Sequence, residues 1–443
     1  MTKTMTQGNL AGILIRFSIP LVLSGILQQM YSWADAFIVG NLVGEGALAA
    51  VGATMSLYNL FVLVVTGLTL GVSIQAARLY GQGEQQRMRT ILSTFSVVLG
   101  AVFLAVGIAG CLTAGPVLRL MRTPEDILTM ARQYLEIVLL GLPFVAVYNV
   151  YAAVLRGMGE SKAPLYSVLV ASVVNVGMDL LLVGPAKLGV RGAALATVAS
   201  QVMMALFIIA YAAHRWTALR FRPARGCVDR RVLRGGMALG LPVAIQSSLN
   251  SLGSVVLQNF MNSFDSSILV AAITTAYRVD TVIMLPVTNL SSGISTVVAQ
   301  NVGAGQPQRA RRALGVGVGI MLVLCIVLAA LVITVGGPLI SLFGLTEEAT
   351  ALGRDFFRQI ALFYPVYGAA MALRGYLEGT GDVLCSSVIG LVCLGVRIAL
   401  SYGLADLVGS PIIAYAEAAC WSAMLVLFAL RFWVKSRRLV RRS

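Results

Sequence analysis

The stretch Phe17–Gly40, FSIPLVLSGILQQMYSWADAFIVG, is apolar enough to cross a membrane and carries a single carboxylate, Asp35. At 1.5 Å of rise per residue, a helix of about 20 apolar residues spans the hydrocarbon core of a bilayer. Similar stretches recur along all 443 residues, of which 58% are hydrophobic and only 12% are charged. Because soluble proteins carry about 25% charged residues, the sequence predicts a polytopic membrane protein.

Twelve apolar segments are separated by glycine, proline and charged residues, and each is predicted to be a membrane-spanning helix. We therefore expect an all-α fold. The predicted spans cover approximately residues 13–40, 48–75, 91–113, 131–154, 163–184, 189–213, 235–260, 268–299, 313–335, 355–373, 384–406 and 412–434.

Lysine and arginine are distributed unequally between the predicted loops. The termini and the loops after even-numbered spans hold 24 of them, and the opposite loops hold six. Because basic loops stay in the cytoplasm, this bias predicts a multi-pass protein of the plasma (inner) membrane with both termini cytoplasmic. The net charge of +15 could also suit nucleic acid. Because basic-rich and basic-poor loops alternate, we interpret the charge as a signal for the orientation of the spans and expect no nucleic-acid partner. We also expect a monomer in the lipid bilayer. The six opposite residues are Arg119, Arg122, Arg132, Lys187, Arg191 and Arg354.

The chain repeats itself at one constant offset, the one that carries Pro20 onto Pro242, which we call the repeat offset. An offset maintained without slippage over about 140 residues indicates a duplication. The other pairs in register include Gly115-Pro116 with Gly337-Pro338, Pro143 with Pro365, and Gly159-Glu160 with Gly381-Asp382.

Each half of the chain holds six predicted spans, so the two halves should have the same orientation. We expect two parallel six-helix bundles, an architecture typical of secondary transporters. The predicted domains are an amino-terminal lobe (1–213), a basic cytoplasmic linker (214–234), a carboxyl-terminal lobe (235–434) and a basic cytoplasmic tail (435–443).

Acids placed deep inside apolar spans are candidates for function, because a mid-membrane charge costs roughly 2.5–3.5 kcal/mol. Asp35 in the first span and Asp179 in the fifth are the clearest cases. Each ends a polar stripe along one helix face, and the second stripe includes Asn175. Thr197 and Gln201 lie one turn apart in the sixth span. The acids and Thr197 should all lie roughly 9–12 Å below the outer surface, at one level.

Two buried carboxyls with amide and hydroxyl oxygens can hold a proton or a small hard cation such as Na⁺, and the residues leave this choice open. A purely structural polar contact is the alternative. The repeat offset replaces Asp35 by Leu257 and Asp179 by Ser401, so the titratable site is predicted in the amino-terminal lobe alone.

We expect no cofactor, no disulfide and no metal centre other than this possible Na⁺ site, because the cysteines are scattered without a close pair. They are Cys111, Cys227, Cys325, Cys385, Cys393 and Cys420.

Further candidates are less specific. Pro20 removes a backbone hydrogen bond and permits either a bend or a static kink in the first helix. Arg278 and Asp280 in the eighth span either compensate one another or supply charge to a cavity. Glu136 follows Arg132 by four residues, which predicts a local ion pair. Other candidates for cavity lining are Gln28, Tyr31, Tyr58, Tyr148, Gln246, Asn250, Tyr367 and Glu417.

Six motifs, combined with six plus six duplicated spans, resemble those of the multidrug and toxic compound extrusion (MATE) transporters. The resemblance covers nearly the whole chain and implies a V-shaped, two-lobe antiporter that expels amphipathic, often cationic compounds in exchange for protons or Na⁺. The motifs are FSIPLVLSGILQQMYSWADAFIVG (17–40), ALAAVGA (47–53), YGQGE (80–84), LRGMGESKAP (155–164), YRVDTVIMLP (277–286) and QNVGAGQ (300–306).

In the branch of the family that this chain resembles, an acid on helix one, an Asn-x-x-x-Asp pair on helix five and a Thr on helix six form the cation site. Asp35, Asn175, Asp179 and Thr197 match these positions, and Pro20 matches a helix-one proline implicated in bending. A different branch carries acids on helices seven and ten, which this chain lacks.

The sequence therefore predicts a cation-coupled multidrug exporter and not an enzyme. A lipid-linked saccharide flippase, the nearest alternative, is expected to need a strongly cationic cavity, whereas few arginines lie inside the spans. An integral-membrane enzyme would need a nucleophile, a metal cluster or an acid–base pair near the interface. A passive channel is disfavoured because the repeat surrounds one asymmetric titratable site.

Overall fold

The computed structural model describes residues 5–220 and 228–440. Helices are its regular elements, as predicted, and no strand occurs in these two ranges. Cys227 and most of the basic stretch before residue 228 lie outside the described residues, as do 1–4 and 441–443.

Each predicted span corresponds to one helix or to a pair of helices. The first half of the chain contains α1 (Leu10–Leu42), α2 (Glu45–Gly81), α3 (Gln85–Leu120), α4 (Glu125–Leu139), α5 (Leu142–Gly157), α6 (Lys162–Val183), α7 (Gly189–Arg215) and a 3₁₀ turn (Thr217–Leu219). The second half contains α8 (Arg230–Asn262), α9 (Ser267–Ile283), α10 (Leu285–Gly303), α11 (Pro307–Ser341), α12 (Glu347–Ala361), α13 (Tyr364–Gly379), α14 (Val383–Gly403), α15 (Ala405–Val408) and α16 (Ile412–Val440).

Three spans predicted as single helices are broken into α4/α5, α9/α10 and α12/α13. Pro143, Pro286 and Pro365 stand at the start of the second helix of each pair. Proline lacks an N–H and its ring collides with the carbonyl four residues earlier, so the first helix cannot continue through it. The bend between α4 and α5 is 42°. Because Val64 stands at the repeat position of Pro286, α2 remains unbroken.

Length and hydropathy identify nine segments of the described residues as able to cross a membrane, or ten when α4 and α5 count as one bent span. One of the nine, Ser267–Gly303, joins α9 and α10. The two spans that complete the twelve, α8 and the pair α12/α13, are more polar. The 15 residues of α12 alone include five charged ones.

Packing divides the described chain into two compact units. Unit 1 contains residues 20–220 and 228–244, and unit 2 contains residues 5–19 with 245–440. The divisions fall inside α1, at Pro20, and inside α8, two residues after Pro242. The amino-terminal end of each of these helices therefore packs with the six-span repeat to which it does not belong.

In unit 1, α2 and α8 touch backbone to backbone. A Cβ atom added to Gly71 would lie 2.3 Å from the backbone nitrogen of Gly240, and one added to Gly67 would lie 2.6 Å from that of Ala244. Gly67 and Gly71 are spaced like Gly236 and Gly240, which is the small-xxx-small pattern of closely packed membrane helices. This contact requires glycine on both helices.

Unit 2 contains the equivalent contact between α1 and α10. A Cβ atom on Gly293, the repeat counterpart of Gly71, would lie 2.6 Å from Ser18 Oγ. Nearby, the backbone N–H of Met5 donates to Gln300 Oε1 at 3.1 Å. The duplication seen in the sequence therefore extends to the way in which the first helix of each repeat packs.

Asp382, in the loop before α14, fixes that loop to α16. Its carboxylate accepts hydrogen bonds from Arg431 at 2.7 and 3.0 Å and forms an ion pair with Lys435 at 3.6 Å. Burial alone would raise the pKa of Asp382, but these two basic partners outweigh it and lower the pKa below its ordinary value.

Candidate functional site

Two buried acids lie side by side in unit 1. Asp35 on α1 and Asp179 on α6 have 4% and 0% of their surface exposed. Their carboxyl groups are close enough to interact electrostatically with one another. A hydrogen bond between two carboxyls requires a proton on one of them, and two adjacent carboxylates repel. This acid pair is therefore suited to take up one positive charge.

Helices α6 and α7 place an amide and a hydroxyl beside the acid pair. Asn175, one turn before Asp179, is 1% exposed. Thr197 donates its hydroxyl proton to the carbonyl of Ala193 at 3.0 Å, which leaves lone pairs of its oxygen for other partners. The structure thus brings together all four residues that the sequence predicts as a cation site.

Five buried oxygen atoms of this region have no hydrogen-bond partner among the described residues. Most buried polar atoms in proteins do have one. All five are acceptors, so a donated proton or a cation would satisfy them. Because the set contains only oxygen, it fits a proton or a hard cation such as Na⁺ better than a soft transition metal. These atoms, which we call the oxygen cluster, are Asp35 Oδ1, Asn175 Oδ1, Asp179 Oδ1 and Oδ2, and Gln201 Oε1.

A cavity of about 280 Å³ lies beside the acid pair within unit 1. Its volume is slightly below the roughly 300–1,000 Å³ of sites for drug-sized ligands. No lysine or arginine of the described chain lines it, and Asp35 supplies its negative charge, so it favours cationic guests. The predicted residues in its wall are Gln28, Tyr31, Asp35, Tyr58, Tyr148, Asn175, Thr197 and Gln201.

Gln201 is positioned by the break between α4 and α5. Its side-chain amide donates to Tyr58 Oη at 2.7 Å. A Cβ atom on Gly141, in the break, would lie only 1.9 Å from Gln201 Oε1. The backbone of Gly141 is ordinary helical (φ −77°, ψ −18°), so glycine is required here for space and not for conformation.

Six polar residues of the cavity wall were not predicted, namely Tyr134, Asn59, Asn149, Gln29, Ser32 and Thr66. Tyr134 is 4% exposed on α4. One sequence signal points to it: Arg132 and Glu136 form a pair on one face of the helix, and residue 134 projects from the opposite face. The two asparagines stand alone in apolar stretches and carry no comparable signal.

Unit 2 contains a largely buried ion pair at a position related to this site by the repeat. The repeat offset places Asn175 on Arg397. Arg397 Nη2 lies 3.1 Å from Glu417 Oε2 and donates to Tyr277 Oη at 2.7 Å. The side chains of Arg397 and Glu417 are 20% and 10% exposed. Where unit 1 presents a neutral amide, unit 2 therefore presents a fixed cation with its own counter-ion.

Arg278 and Asp280 do not compensate one another, which removes one of the two predicted alternatives. Asp280 is 8% exposed and accepts a hydrogen bond from the Tyr364 hydroxyl, whereas Arg278 is exposed and lines a surface cavity. Residues two apart on a helix point in different directions, which explains the separation. The local pair predicted for Glu136 is present, with Arg132 Nε 2.6 Å from its carboxylate.

The other predicted cavity residues of unit 2 differ in their surroundings. Gln246 is 3% exposed and accepts a hydrogen bond from Arg374 at 3.3 Å. Tyr367 is half-buried, with its ring centroid 4.8 Å from that of Trp421. Asn250 is exposed.

The spans, the repeat and the internal cavity define a polytopic membrane protein built from two repeated helical bundles, the class to which secondary transporters belong. The MatE family model matches residues 20–181 and again residues 242–403. The second match begins and ends at the positions that the repeat offset assigns to the ends of the first, which confirms the predicted duplication. The chain belongs to the MatE family.

The relatives agree with this assignment. The chain is 29% identical over 441 residues to YoeA of Bacillus subtilis (strain 168), described as a probable multidrug resistance protein, covering 96% of this chain and 94% of that one. It is 30% identical over 390 residues to YpnP of the same strain, described in the same words, covering 87% and 86%. A crystal structure of a MATE protein in the bent conformation superposes with a TM-score of 0.90 at 20% identity, covering 99% and 98% of the two chains. This likeness confirms the twelve-span fold. Members of the MatE family are transporters, so family membership excludes the membrane-enzyme alternative.

Proposed function

We propose that this protein is a secondary active multidrug efflux antiporter, which exports amphipathic, cationic organic compounds in exchange for H⁺ or Na⁺. The observation that carries this proposal is the acid pair, Asp35 with Asp179, buried beside a cavity whose described wall holds no basic residue. The names of the two Bacillus relatives, both probable multidrug resistance proteins, support the export of varied compounds.

The electrostatics of the acid pair supply a reason for exchange. When both carboxyls are ionised they repel one another, and a bound proton or Na⁺ relieves that repulsion. An organic cation beside Asp35 relieves part of the same repulsion, so the ion and the substrate each weaken the binding of the other. Such negative coupling is reciprocal. An ion that binds from the outer side therefore promotes substrate release, which is the requirement for antiport.

The oxygen cluster can serve either coupling ion. A proton would bridge the acid pair, whereas Na⁺ would also draw on the oxygens of Asn175 and Thr197. Both ions carry one charge, and moving one charge across the membrane yields about 2.3 kcal/mol per 100 mV. Export measured under separate pH and Na⁺ gradients distinguishes the two ions.

Pro20 is a point at which α1 can bend, and the division of α1 between the two packing units falls at the same residue. We further propose that the protein is a monomer in the plasma (inner) membrane and that both of its termini are cytoplasmic. Its two lobes extend over residues 1–213 and 235–434, with the linker 214–234 between them and the basic tail 435–443 after them.

Export should be measured in proteoliposomes under a pH gradient and, separately, under a Na⁺ gradient. The parent is expected to export a fluorescent organic cation under at least one gradient, and the ion whose gradient drives export is the coupling ion. Asp35→Asn and Asp179→Asn should each lose gradient-driven export while retaining normal insertion and thermal stability, because amides cannot take up the charge.

Glu136→Gln is the matched control, since it also removes one acid from unit 1 but at a locally paired position outside the acid pair. It should export like the parent. Full gradient-driven export by both aspartate variants would refute the site, and equal export with and without the gradients would refute antiport.

A further inference from the structure

A second cavity, of about 380 Å³, lies between the carboxyl end of α3 and the amino ends of α4 and α7 in unit 1. Three arginines line it, Arg119, Arg132 and Arg191. They are three of the six basic residues that the loop pattern places on the outer side, where basic residues are disfavoured. Half of the outer positive charge therefore converges on one cavity.

The cavity keeps an excess of positive charge. Glu136 is the acid in its described lining, and it is paired with Arg132 at 2.6 Å. Arg119 and Arg191 take part in none of the ion pairs between described residues. Three guanidinium groups against one carboxylate leave two positive charges without a counter-ion.

The two unpaired arginines are not needed to build the repeated fold. The repeat offset replaces Arg119 by Ser341 and Arg191 by Ile413, whereas Arg132 is retained as Arg354. The second repeat thus forms the same helices without this charge. A structural role common to both repeats does not explain the two arginines.

The side chains of all three arginines are exposed, so a ligand can reach them from the surface. Guanidinium groups present planar arrays of donors that match phosphate and carboxylate oxygens, and such charge-assisted hydrogen bonds are among the strongest in proteins. Thr129 and Gln133, which also line the cavity, add a hydroxyl and an amide donor.

We propose that this cavity is a binding site for a phosphate-bearing anion on the outer side of unit 1. The ends of the spans lie at the level of the lipid headgroups, so the phosphate belongs either to an anionic phospholipid or to a soluble phosphate compound. The site is separate from the acid pair, and its chemistry is the opposite, because it collects negative charge on a protein whose internal cavity collects positive charge.

Retention of phosphatidylglycerol against phosphatidylcholine, measured by native mass spectrometry after release from nanodiscs of mixed composition, tests the lipid source. Calorimetric titration of the detergent-purified protein with inorganic phosphate tests the soluble source. The double variant Arg119→Gln/Arg191→Gln should lower the affinity for the bound anion about tenfold or more, since hydrogen bonds to charged groups contribute that much.

The matched control is Arg122→Gln/Lys187→Gln, which removes the same charge from the same side but from residues outside the described lining of the cavity. Selective retention of phosphatidylglycerol by the parent and the control, but not by the double variant, establishes the lipid source. Phosphate binding that only the double variant loses, without lipid selectivity, establishes the soluble source. If the parent and the double variant behave alike in both measurements, or the control loses as much as the double variant, the proposal is refuted. Neither measurement requires transport, so the result is independent of the proposed antiport.

Discussion

Replacing Gly141 by alanine is expected to disturb the cation site through a single contact. The new Cβ atom would lie 1.9 Å from Gln201 Oε1, whereas real Cβ contacts are not shorter than 3.0 Å, so the amide must retreat by at least 1.1 Å, the difference between these two distances. We expect that shift to break or weaken the 2.7 Å hydrogen bond from Gln201 to Tyr58 Oη. We expect a loss of about 1–3 kcal/mol in the free energy of unfolding, as for other overpacked sites. Gradient-driven export should fall with it.

A double-mutant cycle separates this contact from a general defect of the bent pair α4/α5. Gly141→Ala, Gln201→Ala and the double variant should be compared by thermal unfolding in detergent and by export in proteoliposomes. Because alanine at position 201 removes the obstructing amide, Gly141→Ala should have almost no further effect in that background. Gly177→Ala on α6, where an added Cβ meets nothing within 4 Å, is the control. Additive effects of the two substitutions would refute the reasoning.

Three further variants probe the frame around the site. Arg397→Gln should cost about 3–5 kcal/mol in the free energy of unfolding because it leaves Glu417 buried and unpaired, and adding Glu417→Gln should recover most of that loss; a double variant no more stable than the single one would contradict this account. Asp382 has a lowered pKa in the folded protein, so it stabilises the fold above the ordinary aspartate pKa of about 3.9, and that contribution is lost as the pH falls through the lowered value. Asp382→Asn should therefore be less stable than the parent near neutral pH but not in strong acid, and a difference unchanged by acid would count against it. Gly71→Ala should destabilise unit 1 far more than Gly177→Ala in the same unfolding assay. A Cβ atom on Gly71 would collide with the backbone of Gly240, which cannot move aside like a side chain, whereas one on Gly177 meets nothing within 4 Å. Equal stability of the two variants would contradict this account.

Most of the fold could be predicted because membrane spans and a repeat are properties of the sequence itself. Twelve apolar runs gave the helices, and the constant repeat offset returns in the two matches of the family model. The breaks at Pro143, Pro286 and Pro365 were not predicted, since hydropathy remains high across them and proline can also be accommodated as a kink. Pro20 and Pro242 show that second outcome, as both lie inside continuous helices.

The site was predictable where helical spacing carries the information. Asp35, Asn175 and Thr197 line one cavity and Asp179 interacts with Asp35, as expected if each polar stripe faces inward. Contacts between helices remote in sequence could not be predicted in this way. The approach of Gly141 to Gln201 depends on the angle between α4 and α5, which no spacing within one helix encodes.

The asymmetry between the two repeats follows from where their positive charge comes from. In unit 1 the oxygen cluster contains acceptors alone, so any cation that satisfies it must arrive from solution. In unit 2 the position equivalent to Asn175 is Arg397, a cation that is attached to the chain and paired with Glu417. A cationic side chain cannot leave the protein or be replaced from solution, so its presence does not depend on an ion gradient. In the proposed mechanism, unit 1 is therefore the half that responds to the coupling ion. The second repeat carries a permanent charge, that of Arg397, at the equivalent position.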